Sequence, residues 1–157
     1  GKQHWKSIAM NYARAPFFKM VAPPFEAFFN SQTPELLSLV NYELIKLVCS
    51  ALDIKTKISW SSDYEVIDGK TERLVSLCVQ SGATDYLSGP SARDYIVPEL
   101  FTEAGIKLHW ADYSGYPEYP QLHGAFEHGV TILDLLFQTG PDAAKYMKSF
   151  STINEKP

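Results

Sequence analysis

The chain has 157 residues, 45% of them hydrophobic and 20% charged, which suits one globular domain with a real core. Its formal charge of −4 leaves no basic footprint, so nucleic acid is not expected as a partner. No apolar run is long enough to span a bilayer and no signal-peptide pattern is present, so no membrane span and a cytoplasmic location are expected.

Taken in chain order, Trp5 to Tyr12 predicts a short helix that ends before Pro16, because the residue ahead of a proline avoids helical dihedrals. Phe17, Phe18, Phe25, Phe28 and Phe29 crowd a second segment in which Pro23 and Pro24 let a helix restart. Thr33 as N-cap, Pro34 at the first position and Glu35 at the positive end of the dipole predict the clearest helix. Its stripe Leu36, Leu37, Val40, Leu44, Leu47, Val48 and Ala51 recurs at three- and four-residue spacing. Thr56 to Trp60, β-branched and aromatic, predicts a strand.

A further helix starts at Thr71 as its cap, buries Leu74, Val75, Leu77 and Cys78, and closes at Gly82 in the left-handed position. Thr84 to Leu87 is the next strand, Pro98 to Ala104 a helix stopped by Gly105, and Ile106 to Trp110 a third strand. A proline-rich aromatic loop follows to about Phe126. Helices over Thr131 to Phe137 and Pro141 to Phe150 end the chain, hinged at Gly140-Pro141, with residues 151–157 as a flexible tail. Cys49 and Cys78 fall on apolar faces and read as buried thiols rather than a disulfide.

Alternating helices and strands predict an α/β fold with a small, mostly parallel sheet and helical crossovers, a Rossmann-like three-layer arrangement. No linker divides the chain, so residues 1–157 read as a single α/β domain or the C-terminal two-thirds of one. Three strands fall below the usual sheet, so the sheet is expected to be incomplete on its N-terminal side.

Parallel strands would place three polar turns at one edge of that sheet, where ligands of open α/β sheets bind. They are Ser61-Ser62-Asp63, the segment Ser88-Gly89-Pro90-Ser91-Ala92-Arg93-Asp94, and Asp112 with the loop to Gln121. Ser61, Ser62, Thr71, Ser88, Gly89, Ser91 and Arg93 are candidate substrate-binding residues, offering hydroxyls, a backbone amide and a guanidinium fork. Arg73, at the start of the helix from Thr71, and Asp94 are candidate catalytic residues, one for phosphate charge and one as a carboxylate. Lys70 reads as a solvated charge. Two Tyr-Pro pairs stiffen the loop that carries Tyr119 and Gln121, which either wall a sugar or nucleotide or pack as a cover over the sheet.

No P-loop, GxGxxG, HExxH or CxxC pattern is present, so no cofactor is assigned. His123 and His128 lack the further ligands of a metal site, and none is expected. His4 and His109 stand isolated, and Asp134, in an apolar run, is expected to form a structural hydrogen bond.

Together these blocks resemble the WbqC-like family of bacterial proteins. The resemblance rests on His4-Trp5-Lys6-Ser7-Ile8, Asn11-Tyr12, Ala15-Pro16-Phe17-Phe18, Thr71-Glu72-Arg73-Leu74, Tyr86-Leu87-Ser88-Gly89-Pro90, Glu103-Ala104-Gly105-Ile106, Tyr119-Pro120-Gln121-Leu122 and Ile132-Leu133-Asp134-Leu135-Leu136-Phe137. Family members carry a leading Gln-Pro-x-x-Phe-Pro segment that these residues lack, and usually a His-Pro pair where Gly115-Tyr116-Pro117 stands. The resemblance implies a transferase of surface polysaccharide (O-antigen, lipopolysaccharide) biosynthesis that takes a nucleotide-activated sugar or an acyl or aminoacyl donor. The alternative it leaves open is a non-catalytic nucleotide- or sugar-binding module that partners a biosynthetic enzyme. Either way the partner is a small molecule, and these residues alone are expected to be inactive without the leading segment.

Overall fold

The computed structural model describes residues 1–31 and 34–148. The chain forms two compact units, Gly1–Thr56 with Gly115–Pro157, and Lys57–Ser114.

The first unit is helical. Its elements are α1 (Lys2–Tyr12), α2 (Phe18–Asn30), α3 (Leu37–Ala51), α6 (Ile132–Thr139) and a 3-10 helix over Gly140–Tyr146. Trp5 of α1 stacks on Phe18 and Phe29 of α2 at ring separations of 6.0 and 6.1 Å, and Phe18 tilts against Phe137 of α6 at 5.0 Å. Phe25, Leu136 and Phe137 are fully buried at the centre of this cluster. The Phe17 amide donates to the Phe137 carbonyl at 2.9 Å, pinning the turn between α1 and α2 to α6.

Three expectations change here. Pro23 and Pro24 do not restart a helix, because α2 runs through both. Both prolines are exposed, while Ala22 and Phe25 of the same helix stay packed. The third helix begins at Leu37 rather than Pro34, since Leu36 has extended dihedrals; the expected Thr33 cap lies outside the described residues. Leu36 and Leu37 are accordingly exposed, and only Leu44, Leu47 and Val48 of the predicted stripe pack on the core. The last predicted helix is a 3-10 helix over Gly140–Tyr146, and its end toward Phe150 lies outside the described residues.

The hinge at Gly140 has a steric cause. Gly140 has φ +51°, and the Phe17 ring occupies the place a Cβ would take. Gly140→Ala therefore meets both left-handed strain and an aromatic clash, and is expected to lose about 2 kcal/mol or more by urea denaturation. An unchanged urea midpoint would show that the hinge tolerates a side chain.

The second unit holds α4 (Thr71–Gln80), β1 (Asp85–Ser88), α5 (Pro98–Glu103) and β2 (Lys107–Trp110), with 3-10 turns at Ser61–Asp63 and Pro90–Asp94. The strands pair in parallel with Asp85 opposite Lys107 and Ser88 opposite Trp110. This gives a mixed, roughly α/β architecture with a two-stranded parallel sheet. Thr56 to Trp60 joins no ladder among the described residues; its side chains are exposed, and the Trp60 amide donates to Asp63 Oδ2 at 2.9 Å. β-propensity without a neighbouring strand is insufficient. The alternation of the strands sorts their faces. Tyr86, Leu108 and Trp110 pack toward the buried Cys78, Ala92, Ile96, Phe101 and Ile106, whereas Asp85, Leu87, Lys107 and His109 are exposed. Gly82 (φ +69°) and Gly105 (φ +72°) end their helices in the left-handed region, as the sequence predicts. Neither cysteine is bridged, and burial pushes the Cys78 thiol up.

Candidate functional site

In a parallel pair both strands end at the same edge, and β1 and β2 deliver two of the three polar turns there. The Ala111 amide donates to the Ser88 carbonyl at 2.8 Å and closes the ladder. Beyond Ser88 the chain turns at Gly89, and Pro90 at the first position sets the dihedrals of the 3-10 turn that exposes Ser91, Arg93 and Asp94. Beyond β2, Asp112 Oδ1 accepts the amide and hydroxyl of Ser114 at 3.0 and 2.7 Å, fixing a tight polar turn. Gly89 sits beside the Tyr113 hydroxyl, and the Arg93 guanidinium lies 4.8 Å from the centre of the Trp110 ring. Ser88 itself is buried beside the Tyr86 phenol, so its hydroxyl faces the core side rather than the open edge.

An open cleft of about 540 Å³ is lined by Gly69, Lys70, Arg73, Leu74 and Tyr95. Local constraints build it. Gly69 has φ +95° and the Glu72 carboxylate lies where its Cβ would be, so a side chain there would close the first turn of α4. Thr71 is buried rather than capping the helix; its hydroxyl donates to the Tyr95 carbonyl at 3.2 Å and accepts from the Val97 amide at 3.1 Å. That bridge fixes the Tyr95 wall to the start of α4, so Thr71 shapes the cleft from behind it. Arg73 Nε donates to the Ile67 carbonyl at 3.0 Å, leaving its terminal nitrogens for other acceptors, and Lys70 Nζ lies 5.5 Å from the centre of the Tyr95 ring. Two cations, the first amides of a ten-residue helix and an aromatic wall therefore converge on one opening.

Ser61 and Ser62 are placed elsewhere. They form an exposed 3-10 turn ahead of α4, and Ser61 borders a smaller pocket of about 250 Å³ with Trp60, Tyr64, Cys78 and Tyr86. Gln80 holds the nearby chain by accepting the Glu65 amide and donating to the Glu65 carbonyl, both at 2.8 Å.

Tyr119 and Gln121 belong to the first unit, where both are committed to a buried carboxylate. Asp134, in the first turn of α6, accepts the Tyr119 hydroxyl at 2.8 Å and Gln121 Nε2 at 2.9 Å on the same oxygen. Gln121 also donates to the Glu127 carbonyl at 3.0 Å and accepts the Glu127 amide at 2.9 Å, which ties down the loop. This bears out the structural bond expected of Asp134. Burial, with the neighbouring Asp134, pushes the phenols of Tyr12 and Tyr119 up to about 12. A separate cavity of about 360 Å³ in this unit has mostly apolar walls, including Met20, Val21, Leu47 and Leu136.

One constellation escapes a reading by residue order. His109, isolated in sequence, places Nε2 2.7 Å from Asp85 Oδ1 across the two strands, and the Thr84 hydroxyl donates to Asp85 Oδ2 at 2.8 Å. The His109 hydrogen bond and then that of Thr84 hold the Asp85 carboxyl below its ordinary range. The signal available in sequence was strand alternation: once the register is known, Asp85 and His109 must share a face. Among the described residues no three His, Cys, Asp or Glu side chains form a metal-binding group, and no helix is long and apolar enough to cross a membrane.

The WbqC-like protein family matches residues 1–146, spanning both units. The chain belongs to that family. It is 45% identical over 147 residues, 94% of its length, to the uncharacterized protein Rv1507c of Mycobacterium tuberculosis. It spans 64% of the length of that curated relative. No solved structure matches the chain.

Proposed function

We propose that the protein acts in surface-polysaccharide biosynthesis as a transferase that takes a nucleotide-activated sugar or an acyl or aminoacyl donor. Membership of the WbqC-like family supports the pathway class, and the cleft at the start of α4 supports the donor class. The observation that carries the reading is the convergence of Lys70, Arg73 and the α4 amides beside Tyr95. Cations at a helix start favour a phosphate-bearing ligand, and an aromatic wall suits a base or sugar ring. On this reading Arg73 steadies phosphate charge, Arg93, Ser91 and Gly89 line the adjoining strand edge, and Asp94 receives the acceptor proton.

Calorimetric titration of the full-length protein with ATP, UDP-sugars, dTDP-sugars and acyl donors tests this, beside the same sugars without phosphate. Arg73→Ala is expected to weaken donor binding about 10- to 100-fold, the worth of one charge-assisted contact, without lowering the melting temperature. Donor binding that ignores Arg73 would remove the cleft from the reading.

A non-catalytic binding module is the second reading, and one observation favours it. Asp94 is exposed and makes no hydrogen bond or ion pair to another described residue, so no neighbouring group orients it as a base. Asp94→Ala is expected to abolish transfer and spare donor binding; transfer that survives would remove Asp94 from the mechanism, whereas donor binding with no transfer by the parent protein would support the module.

A further inference from the structure

The open face of the sheet carries four side chains, Asp85 and Leu87 from β1 and Lys107 and His109 from β2. Two of them, Asp85 and His109, form with the neighbouring Thr84 a chain of polar contacts that the donor cleft does not use. An ionised carboxylate only accepts hydrogen bonds, so the 2.7 Å contact requires the proton to reside on His109 Nε2. The other nitrogen, Nδ1, is then the basic one, and it has no partner among the described residues. Asp85 is itself fixed from its far side by the Thr84 hydroxyl at 2.8 Å. Both members of the pair remain about half exposed, at 52% and 51%, so a substrate can reach the imidazole. A histidine whose tautomer is set by an anchored carboxylate, with its second nitrogen free, is the arrangement that proton abstraction from a hydroxyl requires.

We infer that His109 is a general base for a hydroxyl or water nucleophile attacking an activated ester, with Asp85 and Thr84 as positioning residues. In the step, the nucleophile oxygen bonds to the acyl carbon while its proton passes to Nδ1. The carbon–oxygen bond to the leaving group breaks, and the leaving group departs with that electron pair. The charged groups on this face are Asp85 and Lys107, which sit opposite each other in register, and the Lys107 charge helps keep the Asp85 carboxyl ionised. This proton transfer is separate from the acceptor proton assigned to Asp94 and does not rest on the transferase reading.

The test uses the intact protein with p-nitrophenyl acetate as probe. His109→Gln and Asp85→Asn are each expected to lower the hydrolysis rate above buffer by about tenfold, while His123→Gln leaves it unchanged. Any rise of rate with pH in the parent should vanish in His109→Gln. Nitrogen NMR should show neutral His109 protonated at Nε2 in the parent and a mixture of tautomers in Asp85→Asn, which a purely structural pair would not link to the rate. Exposed ion pairs contribute little to stability, so both variants should melt as the parent does. Absence of hydrolysis above buffer, or a rate that His109→Gln lowers no more than His123→Gln does, overturns the inference. Ester hydrolysis that depends on His109 in a protein that binds no sugar-nucleotide, acyl or aminoacyl donor would sustain the base and sink the transferase reading.

Discussion

Asp134→Ala is expected to destabilise the protein by about 3 kcal/mol, measured by urea denaturation, because hydrogen bonds to a charged acceptor contribute about 1.5–3 kcal/mol each. The carboxylate accepts from Tyr119 and Gln121 on one oxygen and also bonds the Tyr12 hydroxyl. Removing it strands those donors in a half-buried setting, and Gln121 loses one of the bonds that fix the loop at Glu127. Asp134→Asn keeps an acceptor but turns an amide donor toward the other hydroxyls, so a smaller loss of about 1–2 kcal/mol is expected. The tyrosines give an independent readout. A phenol raised from 10.0 to about 12 holds its proton longer in the folded than in the unfolded state. The stabilisation is complete below pH 10 and is lost as the pH rises toward 12. In Asp134→Asn the ultraviolet tyrosinate transitions of Tyr12 and Tyr119 should move down only part of the way, since burial is the larger cause for both. Full return to the ordinary value would mean that the carboxylate, not burial, sets them.

Phe101→Ala is expected to cost about 3–5 kcal/mol, the range for deleting a fully buried aromatic ring. Phe101 has no exposed surface, and its ring stacks on Tyr86 of β1 at 5.2 Å with an angle of 19°. Its carbonyl accepts the Ile106 amide at 2.9 Å, so the residue links α5 to the start of β2 by side chain and backbone together. Alanine keeps the backbone bond and removes the ring, which isolates the packing contribution. Phe101→Leu refills part of the space and should lose about 1.5 kcal/mol. A loss under about 1 kcal/mol for alanine would show that the small core of the second unit closes over the gap.

The sequence by itself determined the local elements whose signals are short-range. Helix α4 with its closing Gly82, strands β1 and β2, the Pro98 start of α5 and the helix from Thr131 to Phe137 follow from periodicity and turn chemistry, each decided within a few residues. Two of the three polar turns were legible for the same reason, because a parallel pair must end both strands at one edge. Tertiary structure decided what those rules leave open. Thr56 to Trp60 has strand composition yet no neighbour to pair with, and α2 passes through two prolines because Ala22 and Phe25 are held in a core that local propensity does not count. Thr71, Tyr119 and Gln121 read as ligand-facing hydroxyls and amides, but each is taken by a partner 13 to 26 residues away. His109 meets Asp85 over 24 residues, through a register that exists only once the strands have paired. Hydrogen-bond partners of side chains are set by which surfaces the chain brings together, and that is information spread over the whole fold.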